Sequence, residues 1–117
     1  MQYMLLVYEP EDAWEGEAGQ AAMQVVVAKH MALAGELAAQ GVLLSGNGLQ
    51  GTATATTVVM GEGGAQTLHD GPFAETREQL GGYYLIDVAD LDAALAWGRK
   101  VPGVPGAKCE VRPVIAQ

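Results

Sequence analysis

His30 is the residue of this chain whose type and position best suit chemistry. It continues a stripe with Met23, Val27, Ala34 and Leu37, at spacings of four, three, four and three residues, the period of one helix face. An imidazole titrates at about pH 6.5, so it can take or give a proton near neutrality. An unpaired polar group on an apolar face costs about 1–3 kcal/mol, so His30 must find a partner or border a cavity. A satisfied core histidine and a pocket histidine both meet that condition. Asp70 is the candidate carboxylate, at a strand end where it pairs with His30 or a ligand, or simply closes an Asx-turn before Pro72. Together, His30 and Asp70 would form an acid–base pair. Glu75, Arg77 and Tyr83 are the candidates for positioning a substrate. Glu75 and Glu78 straddle Arg77, which makes either a pocket floor or a solvated loop. Tyr83 and Tyr84 point to opposite faces of one strand, and either hydroxyl could line a pocket, although aromatic core is the plainer reading.

Other chemistries find no support in the residue pattern. Gly46-Asn47-Gly48-Leu49-Gln50-Gly51 matches G-x-G-x-x-G, but Thr52-Ala53-Thr54-Ala55-Thr56-Thr57-Val58-Val59 follows, a strand sequence. A dinucleotide site needs a helix there, to meet the pyrophosphate with its N-terminus. Two histidines and one cysteine at unrelated spacings make no zinc site. No serine stands in a nucleophile elbow. His69 reads as exposed, and Cys109 as a small buried residue. No cofactor and no metal are expected.

The elements that must hold these residues follow from periodicity. Met1 to Tyr8 is a short apolar run ending at Glu9-Pro10, which reads as a buried strand. A helix is expected from about Ala18 to Gln40, with Gly41 as its left-handed C-cap. Val42–Ser45 is the second strand, and Gly46 to Gly51 a loop. Thr52–Met60 and Gln66–Asp70 form a hairpin around Gly61-Glu62-Gly63-Gly64. Tyr83–Val88 is a further strand, Asp90 caps a helix from Leu91 to about Lys100, and Cys109–Ile115 is the last strand. Pro113 makes the far end of that strand an edge. The result is an α+β fold, a ferredoxin-like βαββαβ with an extra β-hairpin and helices on one face of an antiparallel sheet. The strands are apolar at both parities, as at Leu5 and Leu6 or Leu85 and Ile86, so the second sheet face needs cover. A homodimer with its sheets face to face is the simplest cover.

Composition sets the outer limits. The 117 residues make one domain, half of them hydrophobic, with 6 basic residues against 14 acidic ones and a net charge of −8. That balance repels phosphate backbones and anionic membranes, so neither nucleic acid nor membrane is an expected partner. No run reaches the ~20 apolar residues of a membrane span, and the first residues lack a signal peptide's basic region. A lone cysteine suits a reducing compartment, so the cytoplasm is the expected location.

Asp70-Gly71-Pro72-Phe73-Ala74-Glu75-Thr76-Arg77-Glu78, followed by Gln79-Leu80-Gly81-Gly82-Tyr83, resembles the DGPF group of the YCII-related domain family. Tyr3–Tyr8, His30, Gly41, Thr54–Val58, Ala93–Trp97 and Glu110–Val114 fit the same pattern, so the resemblance spans nearly the whole chain. It implies a dimeric α/β barrel of ferredoxin-like subunits. In the parent group a helix histidine and an aspartate are proposed as an acid–base pair, and His30 matches the histidine. The parent aspartate belongs to an Asp-Pro motif after the second helix, where this chain reads Arg99-Lys100-Val101-Pro102; Asp70 is the candidate replacement. The family pattern has Lys where Arg77 stands. DGPF members are often associated with extracytoplasmic-function sigma factors. The resemblance therefore implies either a small cofactor-free enzyme acting on a small organic molecule, or a non-catalytic homodimer linked to sigma-factor regulation.

Overall fold

A computed structural model describes residues 1–72 and 77–116. Eight regular elements follow one another: β1 (Gln2–Pro10), α1 (Gly16–Ala39), β2 (Leu43–Gly48), β3 (Thr56–Met60), β4 (Gln66–Asp70), β5 (Glu78–Asp87), α2 (Leu91–Gly98) and β6 (Lys108–Pro113). Four strands form one antiparallel sheet in the order β2-β5-β1-β6. This is the ferredoxin-like order, with β1 central and the Pro113 strand at an edge. Among the described residues, strands β3 and β4 pair only with each other, as a two-stranded sheet with Thr56 opposite Asp70 and Met60 opposite Gln66. Among the described residues, no helix is long and apolar enough to cross a membrane.

Strand alternation decides which side chains meet the helices. Tyr3, Leu5 and Val7 of β1 and Tyr84 and Ile86 of β5 point to one face, where they pack with Leu33 and Leu37 of α1 and Ala94 of α2. Leu5, Leu37 and Ile86 are fully buried; each contributes about 1.5–3 kcal/mol of hydrophobic stabilisation. Asp90 caps α2 by accepting from the Ala93 amide at 2.9 Å. Gly41 follows α1 with φ of +73°, the left-handed geometry expected of it. The other sheet face carries Met4, Leu6, Tyr8, Tyr83 and Leu85, half-buried, and among the described residues both helices pack on the opposite face.

Three strand boundaries differ from expectation by three residues or more, each for a local reason. Strand β3 starts at Thr56, because Thr52–Thr54 close a single tight turn in which the Thr54 hydroxyl and amide both bond the Gly51 carbonyl. Strand β2 runs on through Gly46-Asn47-Gly48, because pairing with Tyr84, Tyr83 and Gly82 outweighs the poor strand propensity of glycine. Strand β5 begins five residues before Tyr83, since Glu78 and Gln79 pair with Pro10 and Glu9. The stripe of α1 is also turned: Gly19, Val26, Leu33 and Leu37 are the buried positions, and Val27 is half exposed. The middle of the helix, from Met23 to Ala34, overhangs a cavity.

Candidate functional site

That cavity holds about 380 Å³. Its roof is α1, through Met23, Val26, Val27, His30 and Ala34. Its floor is the end of the sheet, where four glycines leave part of the surface without side chains. Gly48 and Gly82 stand opposite each other in the β2–β5 register, with Gly46 and Gly81 beside them. A Cβ on Gly82 would lie 2.9 Å from the Asn47 carbonyl oxygen, so only glycine lets β2 come this close. Gly81 is the extra residue of a bulge, falling between the Val7–Gly82 and Tyr8–Leu80 pairs. A Cβ there would lie 2.7 Å from the carboxyl carbon of Glu9. The bulge therefore leaves room for the Glu9 side chain.

Two polar pairs face this space. On the α1 side, His30 Nδ1 lies 2.6 Å from the Tyr84 hydroxyl, with the rings stacked at 5.8 Å. The same hydroxyl lies 3.3 Å from the His30 main-chain oxygen. Burial lowers the His30 pKa from its ordinary 6.5, so the ring is neutral at physiological pH. Burial, and then the neighbouring Cys109, push Tyr84 up to about 12, so it stays a hydroxyl. One phenolic proton then serves two acceptors. When Tyr84 donates to Nδ1, Nε2 carries the ring proton; when it donates to the His30 carbonyl, Nδ1 carries that proton and Nε2 is a base. A hydroxyl rotation coupled to tautomer exchange thus presents either an acid or a base without a net charge. On the β1 side, Trp14 Nε1 donates to Glu9 Oε2 at 2.6 Å.

The anticipated site residues are divided by the fold. His30 lines the cavity. Asp70 does not join it within one chain: it is exposed at the end of β4, paired with Thr56 in the separate hairpin sheet, and Tyr84 occupies Nδ1 instead. Tyr83 borders the cavity, but its hydroxyl bonds Ser45 Oγ at 3.2 Å and Asn47 Nδ2 at 3.1 Å. Those bonds lower its pKa from 10.0, Ser45 more than Asn47. Arg77 is exposed, and its main-chain oxygen accepts from the amide of Glu11, just past β1, at 2.6 Å. Glu75 and Phe73 lie outside the described residues. Glu110 and Arg112 share a face of β6 with Lys108, which pairs with Glu78. Among the described residues, no three His, Cys, Asp or Glu side chains are grouped to hold a metal ion.

Glu9, Trp14 and the glycine floor are not found by inspecting motifs, because they come from three distant segments. One signal does exist. Tyr3, Leu5, Val7 and Glu9 share a parity, so the core-facing alternation of β1 ends on a carboxylate. Tyr84 carries a second signal, since a hydroxyl at a core-facing position must find a partner.

A family model described as the YCII-related domain matches residues 1–116. An uncharacterised protein of Rhizobium meliloti is 35% identical over 121 aligned residues, covering 97% of this chain and 92% of that protein.

Proposed function

The chain belongs to the YCII-related domain family, and we propose that it is a small acid–base enzyme whose proton-transfer group is His30. The observation that carries this reading is the His30–Tyr84 pair at the cavity wall. Nδ1 is occupied at 2.6 Å, and Nε2 has no protein partner among the described residues. A neutral imidazole with one nitrogen held and the other free is the arrangement general acid–base catalysis needs. Proton transfer of this kind, in a hydrolysis or an isomerisation, draws on the chain's own groups and no cofactor. Tyr84 acts as the positioning residue.

The half-buried apolar residues Met4, Leu6 and Leu85 on the helix-free sheet face support a homodimer with its sheets face to face. In that assembly Asp70, Arg77 and Tyr83 stay candidates, since each lies outside the cavity or at its border. The test is a panel of small organic compounds in D₂O, followed by NMR for isomerisation, hydrolysis or C–H exchange. His30→Gln is expected to lower any activity found by about 10²–10⁴-fold, the usual worth of a positioned acid–base group. Activity unchanged in His30→Gln rejects the proposal. Affinity without turnover would favour the binding module linked to sigma-factor control. Asp70→Asn, run alongside sedimentation equilibrium, shows whether the carboxylate acts through a second copy.

A further inference from the structure

The charges around the cavity restrict what can enter it. Glu9 is the one Asp, Glu, Lys or Arg among the described lining residues, and the rest of the wall is largely apolar. A second hollow of about 380 Å³ shares Glu9, Trp14, Met23, Leu49 and Gly81 with the first, and adds Glu11 and Glu15. No Lys or Arg lines that one either. Glu9 forms no ion pair within the chain among the described residues. Its one side-chain hydrogen bond there is the 2.6 Å bond from Trp14 Nε1 to Oε2. Trp14 thus fixes the carboxylate, and Gly81 leaves it room.

We propose that Glu9 is a specificity group that receives an ammonium or other cationic nitrogen of the ligand, so that the cavity takes small amines with an apolar body and rejects carboxylates. An ammonium would find a half-buried carboxylate with no competing cation, and charge-assisted hydrogen bonds of this kind are among the stronger ones. The Trp14 ring adds an aromatic face of the sort cations favour. An anion would meet Glu9 with no countercharge, in a protein already at −8. This assignment rests on the cavity being the ligand site proposed above, and names the class of ligand it takes.

Phenethylamine, phenethyl alcohol and hydrocinnamate share one ring and spacer and differ in charge. Their binding is measured by calorimetry, and their location by NMR shifts of the His30 ring and the Trp14 indole N–H. The amine is expected to bind at least about tenfold more tightly than the carboxylate. Glu9→Gln, which keeps an acceptor for Trp14, is expected to erase that difference while the alcohol binds as before. If the carboxylate matches or exceeds the amine, or if Glu9→Gln leaves the preference intact, the inference is overturned and the His30 reading survives. If none of the three shifts the cavity resonances, the inference is overturned, while the His30 reading stands or falls on its own activity test.

Discussion

Tyr83 and Tyr84 are neighbours on one strand, yet they belong to opposite faces of the sheet and to different chemistry. Tyr84 is buried under α1, holds His30, and has its pKa pushed up to about 12. Tyr83 looks the other way, bonds two edge-strand side chains, and titrates below its ordinary value. The same contrast runs along β1, where Leu5 is fully buried and Leu6 half-buried. The helix-covered face is finished within one chain, whereas the other is dressed with half-buried apolar groups. Fold stability and the cavity thus live on the first face, and assembly is proposed for the second.

Substitutions at paired positions can break this contrast. The largest effect is expected at Leu5→Ala, which leaves a hole in the core and costs about 2–5 kcal/mol in denaturant unfolding. Leu6→Ala removes the same atoms one residue on, and is expected to cost only about 1 kcal/mol in the monomer. Comparable losses at the two would show that the open face is already packed. Tyr84→Phe strips His30 Nδ1 of its partner and is expected to cost about 1–3 kcal/mol.

A smaller effect belongs to pH. With the His30 pKa below 6.5 in the native state, the unfolded chain takes up a proton first. Above pH 6.5 this group costs nothing. Below it the unfolded state binds more protons, so stability falls until the pH drops under the native pKa, and there the loss levels off. The Tm of wild type should therefore decline more steeply than that of His30→Gln as the pH is lowered from 6.5. The smallest effect is Tyr83→Phe, with no resolvable change in Tm. An alkaline ultraviolet titration sharpens the pair: Tyr83→Phe should remove a tyrosine titrating below 10.0, and Tyr84→Phe one near about 12.

Element order, the two helices and the hairpin were legible because they depend on neighbours along the chain. Alternation, the Asp90 cap and Gly41 each act within a few residues. His30 was legible as a polar residue on an apolar stripe, but its partner was not. Asp70 was attractive for its place beside a turn, yet the strand carrying it pairs with β3 and leaves the main sheet. Tyr84 became the partner because β5 threads between β1 and β2, a fact of tertiary pairing. The cavity was the least legible feature. It is built from absent side chains at Gly46, Gly48, Gly81 and Gly82, and single glycines signal turns as readily as hollows.

The facing glycines of the floor are unequal, and that inequality bears on how the protein can change over generations. A methyl on Gly82 collides with the neighbouring strand, whereas a methyl on Gly48 meets nothing within 4 Å. One position is locked and its partner is an adjustable stop. A lineage could trim the hollow by one carbon at Gly48 with the sheet untouched, and so drift between guests of different size while the scaffold, and the histidine above it, stay as they are.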